Sequence, residues 1–158
     1  MANDFWIHTI NTSPANFWKI CCDKDLASRM YRAAGCLDYT MTGIKQDANR
    51  KSWVAHVLIP LPPIALVRSF TYTENVTFEE PNGPYRFSVD ILGGTVRIAG
   101  LMTASFSYPD RLTRTISIET DTKGVFGQTI LKHIIPSLAE TYAKTAKFIS
   151  EHNALSAR

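Results

Sequence analysis

The sequence lacks the features by which several classes of protein are recognised. Its net charge is only +3, from 17 basic and 14 acidic residues, and it has no basic cluster of the kind that binds nucleic acid. The amino terminus has no charged start followed by a long apolar core, so no secretory signal is predicted. The longest apolar run, Val57 to Val67, contains prolines and is too short to span a bilayer. We therefore expect a cytoplasmic protein without a nucleic-acid partner.

Motifs of the common catalytic and metal-binding classes are also missing. The chain has no Gly-x-Ser-x-Gly elbow, P-loop, dinucleotide fingerprint or zinc-type ligand spacing. Its histidines fall in different predicted elements, and none stands at metal-ligand spacing from Cys21, Cys22 or Cys36. We therefore expect three buried, reduced thiols, no metal and no cofactor, and the sequence identifies no catalytic residue.

What the chain does have is an alternation of apolar and polar residues over most of its length. A first strand is predicted from Asp4 to Asn11, and six more alternating segments follow from Leu37 onward, separated by short turns. One face of these segments is apolar, and the other is rich in threonine, serine and charged residues. This pattern is typical of an antiparallel sheet with one side exposed to water.

Helices are predicted on either side of this alternating region. Ser13 and Pro14 form a helix start, and a second short helix is expected from Asp25 to Ala34. The final segment has an apolar stripe at helical spacing and predicts an amphipathic helix of about 25 residues, kinked at Pro136. No linker or repeat divides the chain. We therefore predict one α+β domain over residues 1–158, in which the sheet curls around the last helix.

The stretch IPLPPIALVRSF, residues Ile59 to Phe70, interrupts the alternation. Its three prolines argue against an ordinary strand there, although it is among the most apolar parts of the chain. It could be a linker, a loop that dips into a membrane, or a cover over an apolar cavity. A linker is disfavoured because the strands on either side need each other. We predict a lid that carries Ile64 and Leu66, with transient contact to a membrane surface as the alternative.

This order of elements resembles the helix-grip fold of the START-like, or SRPBCC, superfamily, which includes birch-pollen allergens, polyketide cyclases and lipid-transfer domains. The resemblance runs from Phe5 to Asn153 and is carried by TSPANFWKICCDKDLASRMYRAAG, IPLPPIALVRSF, GGTVRIAG and the terminal amphipathic segment. Together these segments resemble an uncharacterised branch of that superfamily. The resemblance implies a curved antiparallel sheet of about seven strands around a long C-terminal helix, with two short helices after the first strand. It also implies an apolar cavity between sheet and helix.

Strand parity, helical spacing and the predicted lid together give a set of side chains that would line or cover such a cavity. The set comprises Trp53, Val57, Ile64, Leu66, Phe87, Val89, Ile98, Met102, Phe106, Ile118, Ile134, Leu138 and Tyr142. Periodicity does not decide whether these side chains fill the interior or leave it open.

Two charged residues, Glu74 and Arg114, share the inward parity of their apolar neighbours. A buried charge is costly unless it is paired. Either these residues reach water at a strand end or a bulge, or one of them anchors the polar end of a ligand, alongside Tyr39 or Tyr142.

Two functions from different classes follow from this description. The first is a carrier or sensor of a hydrophobic small molecule, such as a lipid, a sterol or a polyketide-like compound. The second is a polyketide cyclase/aromatase-like or hydrolase-like enzyme, which would need a titratable residue with a perturbed pKa inside the cavity. The inward positions are poor in acid–base groups, which favours the non-enzymatic function. A domain that modulates a partner protein remains a third alternative.

Overall fold

The computed structural model describes residues 2–60, 69–108 and 110–152. Its strands are β1 (Ala2–Ile10), β2 (Asp38–Asp47), β3 (Arg50–Pro60), β4 (Ser69–Glu79), β5 (Tyr85–Ile91), β6 (Val96–Tyr108) and β7 (Arg111–Thr122). Its helices are α1 (Pro14–Cys22), α2 (Lys24–Ala33) and α3 (Gly124–Glu151).

The seven strands form one curved antiparallel sheet in the order β1-β7-β6-β5-β4-β3-β2. Strands β2 to β7 pair with their neighbours in sequence, and β1 joins the sheet beside β7. Helix α3 contacts β1, β6, β7 and α2. The predicted α+β architecture, a curved sheet with two short helices after the first strand and a long final helix, is confirmed.

The two short helices begin where their capping residues place them. The Ser13 hydroxyl accepts a hydrogen bond from the Asn16 backbone N–H at 3.2 Å, and Pro14 occupies the first helical position of α1. Asp23 caps α2 by accepting from the backbone N–H of Asp25 and Leu26. Helix α2 therefore starts at Lys24, one residue before the position predicted from the sequence.

Strand β2 is longer than the sequence predicted. We expected it to end near Gly43, but it continues to Asp47 through a bulge between Thr42 and Lys45. Gly43 has a φ of 61°, a left-handed conformation that glycine adopts without strain. The glycine therefore bends the strand without ending it.

The proline-rich stretch contributes to both neighbouring strands. Strand β3 extends through Pro60, which pairs with Ser69 at the start of β4, so the expectation that Pro60 excludes a strand was wrong. The pairing of β3 with β2 ends at Leu58, so a proline two residues later interrupts no ladder on that side. Residues 61–68 lie outside the described part of the chain.

Helix α3 has 28 residues and continues through Pro136. Its buried side faces the sheet. The buried residues of the helix are Gly127, Ile134, Leu138, Tyr142, Thr145, Ala146 and Ile149. Neither α3 nor the two shorter described helices is both long enough and apolar enough to cross a membrane.

Candidate functional site

The candidate site is a cavity between the sheet and the middle of α3. Its volume is about 10 Å³, room for about one water molecule. The cavity is lined by Tyr72, Glu74, Phe87, Val89, Ile91, Ile98, Ile134, Leu138 and Tyr142. The interior around this point is therefore nearly filled, although the resemblance implied a sizeable cavity.

Strand pairing fixes where this cavity lies along the sheet. Glu74 pairs with Val89, Val89 with Ile98, and Ile98 with Thr120, so these four residues form one row across the inner face. The neighbouring row toward the end of the sheet contains the pair Val96 and Thr122, and α3 begins two residues after Thr122. The cavity therefore lies one row in from the end of the sheet at which α3 starts.

Glu74 is the acidic residue in the lining of the cavity. Its side chain is only 6% exposed, and no hydrogen bond or ion pair joins its carboxyl to any residue in the described part of the chain. Burial raises its pKa from the ordinary value of 4.5 to about 7. Near neutral pH the cavity thus contains a carboxyl group that readily gains or loses a proton.

Tyrosine side chains surround this carboxyl. Burial raises the pKa of each of them, and the negative charge of Glu74 raises it further, which places them within electrostatic reach of that carboxyl. These tyrosines are Tyr31, Tyr39, Tyr72, Tyr85 and Tyr142. Because they stay neutral, Glu74 is the group of this cluster that titrates near pH 7.

Two further buried polar atoms near this cluster, the Tyr39 hydroxyl and the Trp53 indole nitrogen, have each other as their only polar neighbour among the described residues: the Trp53 side chain interacts with Tyr39 and lowers its pKa, against the larger effect of burial. Tyr39 pairs with Val57 on β3, and Val57 pairs with Tyr72 on β4, so Tyr39 lies two strands away from Tyr72 on the same face of the sheet. Buried polar atoms are rarely left unpaired, and such atoms are common at binding sites.

Arg114 is also buried, but it has partners that give it a structural role. Its guanidinium donates to the Tyr142 carbonyl oxygen at 2.7 Å and to the Thr145 hydroxyl at 3.0 Å. It also lies 3.2 Å from Nδ1 of His8, whose pKa is lowered to about 4 by burial and by the Arg114 charge. Neutral His8 therefore accepts a hydrogen bond from Arg114 above that pH. This cluster joins β1, β7 and α3.

Polar bonds hold α3 to the rest of the protein at its start, where the Lys123 backbone N–H donates to the Thr95 carbonyl, and in its second half. Besides the Arg114 bonds, the Asn16 amide donates to the His152 carbonyl at 3.0 Å, and the Asn11 backbone N–H donates to Ser150 at 3.1 Å. Pro136, which has no N–H to donate to the preceding turn, separates Ile134 from Leu138.

The inner wall of the cavity depends on a glycine. Phe87 on β5 pairs with Gly100 on β6, and the Phe87 ring lies directly over the Gly100 backbone. A Cβ atom at position 100 would lie 2.0 Å from the ring, a distance at which the ring would have to move. The ring also faces Tyr142 across the cavity, with 6.4 Å between centroids. Gly100 therefore lets Phe87 lie flat against the sheet.

Large apolar side chains are exposed at the end of the sheet where α3 begins. Leu92 follows β5, and Val125 and Phe126 open α3; these residues are 62%, 78% and 67% exposed. The turn after β5 meets the start of α3, because the Lys123 backbone N–H donates to the Thr95 carbonyl at 2.9 Å. The apolar rim of Leu92, Val125 and Phe126 therefore lies at the cavity end of the molecule.

The structure brings together about half of the side chains predicted to line the cavity. Phe87, Val89, Ile98, Ile134, Leu138 and Tyr142 line it, with the predicted anchor Glu74. Trp53, Val57, Met102, Ile118 and Tyr39 are buried elsewhere in the core, and Phe106 is partly buried at its edge. Ile64 and Leu66 lie outside the described residues, so the lid and its contact with a membrane stay predictions.

Sequence reasoning missed two cavity residues, Tyr72 and Ile91. Tyr72 has the parity of Glu74, and Ile91 has the parity of Phe87 and Val89, so strand alternation contained the signal for both. The alternative that Glu74 and Arg114 reach water was wrong, since the two residues are 6% and 1% exposed.

The three cysteines are buried and unreactive. Cys21, Cys22 and Cys36 are free and buried, as predicted. Burial raises the pKa of Cys21 to about 12 and that of Cys36 to about 11, and it also raises the pKa of Cys22, so these thiols are poor nucleophiles. No group of three potential metal ligands occurs among the residues that the structure describes.

Comparisons with known proteins identify the fold. No family model and no curated protein sequence matches the chain. Among solved structures, the Zhui aromatase/cyclase from Streptomyces sp. R1128 superposes with a TM-score of 0.67 at 9% identity, covering 95% of this chain and 94% of its own. For Ara h 8.0201 the TM-score is 0.63 at 9% identity, with coverage of 96% and 99%.

A point mutant of norcoclaurine synthase from Thalictrum flavum, in complex with a transition-state analogue, is similar to the same extent. Its TM-score is 0.63 at 15% identity, and 97% of this chain and 98% of that chain are covered. Sequence identities this low establish the fold alone. The chain therefore has the helix-grip fold that its sequence predicted, and shares this fold with the structures above.

Proposed function

We propose that this protein binds a hydrophobic small molecule between the sheet and the middle of α3, and that it carries or senses that molecule. The supporting observation is the cavity itself, in which apolar and tyrosine side chains enclose an unpartnered carboxyl. An apolar enclosure with a few placed polar groups is typical of small-molecule sites. The classes of ligand that fit this description are lipids, sterols and polyketide-like compounds.

Binding such a ligand requires the cavity to widen, since its resting volume of about 10 Å³ holds no organic molecule. The part of α3 that would move is the segment before Pro136. Apolar contacts through Ile134 and the Lys123–Thr95 hydrogen bond hold this segment against the sheet, whereas the hydrogen bonds of Arg114 hold the second half. An apolar ligand could replace those apolar contacts at little cost, because each buried Å² contributes about 25 cal/mol whichever molecule covers it.

Uptake of N-phenyl-1-naphthylamine, an uncharged apolar fluorophore, tests the proposal. We expect its fluorescence to rise and saturate at one molecule per chain, and the thermal unfolding midpoint to rise with its concentration. Phe87→Leu should bind the fluorophore severalfold more tightly, because the smaller side chain leaves space over Gly100. If neither the wild type nor Phe87→Leu binds the fluorophore saturably, the proposed function is contradicted.

Phe78→Leu is the matched control for this variant. Like Phe87, Phe78 is buried, but it lies on β4 and does not line the cavity. Its ring packs on that of Trp18, with 4.7 Å between the centroids. The same change in volume there should leave fluorophore affinity at the wild-type level. An equal gain in both variants would indicate general loosening of the core and not a site at Phe87.

Pro136→Ala is expected to slow fluorophore uptake. Alanine restores the N–H that can bond to the carbonyl four residues earlier, and a proline inside a helix costs about 3 kcal/mol relative to alanine. We therefore expect a higher unfolding midpoint and a lower association rate in stopped-flow fluorescence. Ser137→Ala, which changes no backbone donor, is the control. Uptake by Pro136→Ala at the wild-type rate would show that α3 does not open at this residue.

A specific observation also favours the enzymatic alternative. A cyclase-like or hydrolase-like reaction needs a titratable group in the cavity, and Glu74, with its pKa raised to about 7, is such a group. An aromatase/cyclase and norcoclaurine synthase among the similar structures support this class of function. Small molecules recovered after incubation with wild type and with Glu74→Gln distinguish the two functions. Identical masses support a carrier, and a product formed by the wild type alone supports an enzyme.

A further inference from the structure

We propose that the ligand of this cavity is a cationic amphiphile, in which a protonated amine pairs with the Glu74 carboxylate and an apolar body extends toward the apolar rim. This inference rests on the proposed function. It adds the chemistry of the polar end of the ligand, which the shape of the fold does not determine.

The first argument is the missing partner of Glu74. Its carboxyl is buried and lines the cavity, yet no cation or hydrogen-bond donor in the described part of the chain meets it. A buried carboxylate without a partner is costly, and a cation at hydrogen-bond distance offsets that cost. An ammonium group brings both the charge and the donors that this carboxylate lacks, whereas a hydroxyl brings a donor only.

The second argument is the aromatic surface around the carboxyl. Tyr72 and Tyr142 line the same cavity as Glu74. Aromatic faces attract cations through their negative π-surface, and cages of such rings are a known means of binding ammonium groups. The Tyr142 ring already receives the Arg114 guanidinium at 5.8 Å from its centroid, outside the cavity lining. A carboxylate beside Tyr72 and Tyr142 therefore favours a positive head group over a neutral one.

The third argument concerns the other buried charge of the interior. Arg114 does not line the cavity, and its guanidinium donates to the Tyr142 carbonyl and to the Thr145 hydroxyl, with only its Nε left without a partner in the described part of the chain. The charges of Glu74 and Arg114 both act on the pKa of Tyr142, Glu74 raising it and Arg114 lowering it, so both charges lie within electrostatic reach of that residue. An anionic head group in the cavity would meet the like charge of Glu74 first. The electrostatics thus disfavour fatty acids and other carboxylates.

The position of Glu74 also gives the ligand a direction. The residue lies one row in from the end of the sheet where α3 begins, beside Ile91 and Ile134. Leu92 and Phe126 are exposed at that end. An amine placed at Glu74 would therefore extend its apolar chain outward, between Ile91 and Ile134, and cover part of the apolar rim.

Three probes with the same apolar chain test this inference: n-octylamine, 1-octanol and octanoate, each titrated calorimetrically at pH 8. Octylamine should bind at least tenfold more tightly than octanol, and octanoate should bind more weakly than either. In Glu74→Gln, octylamine should lose at least tenfold in affinity, whereas octanol should change less than threefold. Glu119→Gln, the same change on the exposed face of β7, should leave all three affinities unchanged.

Proton release gives an independent readout. An ammonium group favours the charged carboxylate, so octylamine binding near pH 7 should release a fraction of a proton from the wild type and none from Glu74→Gln. Octanol should release none from either protein. Titrations in buffers of different ionisation enthalpy measure this number. Release that is equal for amine and alcohol would overturn the inference.

The outcomes separate this inference from the proposed function. If octanol binds as tightly as octylamine, or if Glu74→Gln keeps the preference for the amine, the inference is wrong while binding of an apolar ligand stands. If none of the three probes binds to the wild type, the proposed function falls, and the inference falls with it.

Discussion

Replacing Glu74 with glutamine should stabilise the protein by about 3 kcal/mol at pH 8. The carboxyl has its ordinary pKa of 4.5 in the unfolded chain and a pKa of about 7 in the folded protein. Below pH 4.5 both states hold the proton, so the residue costs little. Between pH 4.5 and 7 the unfolded chain loses the proton first, so stability falls as pH rises. Glutamine resembles the protonated carboxyl and avoids this loss.

Urea unfolding at pH 4.5, 6 and 8 measures this effect. The wild type should lose stability across this range relative to Glu74→Gln, and the two proteins should be similar at pH 4.5. The groups around the carboxyl do not interfere, because burial keeps Tyr39, Tyr72 and Tyr142 neutral. Glu119→Gln should change stability by less than about 0.5 kcal/mol at each pH. A Glu74→Gln protein less stable than the wild type at pH 8 would contradict the account of the site.

Arg114→Ala should destabilise the protein by about 3–5 kcal/mol. The side chain is 1% exposed and is among the largest fully buried ones in the described part of the chain, so alanine leaves a large cavity between β7 and α3. The variant also removes the donors to the Tyr142 carbonyl and the Thr145 hydroxyl. A lower unfolding midpoint and faster hydrogen exchange in the second half of α3 are the expected measurements.

Arg114→Met separates packing from charge. Methionine fills much of the same space, and an apolar replacement of a buried charge is often nearly neutral, so we expect a loss below about 1.5 kcal/mol. The pKa of His8, which is about 4 through burial and the Arg114 charge, should rise toward 6.5 in this variant, as followed by NMR. If alanine costs no more than methionine, packing at this position does not govern stability.

The architecture was predictable because each element has a local physical cause. Apolar residues alternate along the strands, as at Phe87 and Val89, and only one pairing register puts them all on the side of α3. The cap at Ser13 and the apolar stripe around Leu138 fixed the helices in the same way. Element ends were less predictable, because Pro60 and Gly43 are tolerated where strand pairing on one side is already ending or bulged.

The candidate site was predictable only in part. Parity placed Glu74 on the inner face, but the burial of its carboxyl depends on side chains from β5, β6 and α3 that come together only in the folded chain. The bonds of Arg114 to α3 likewise join residues about thirty positions apart. The volume of the cavity depends on how closely the Phe87 ring approaches Gly100, and the alternation of apolar and polar residues does not predict that distance.

The unequal attachment of α3 has a geometric consequence. If the helix pivots at Pro136, the part that moves is a lever of about 18 Å, since each residue adds 1.5 Å. A tilt of about 10° would shift its first turn by about 3 Å, but Ile134, next to the pivot, by only about 0.5 Å. The opening would be a wedge, narrow beside Glu74 and wide at Phe126. Such a wedge selects molecules that are slender at the polar end, and it accommodates a wider apolar part the farther that part lies from Glu74.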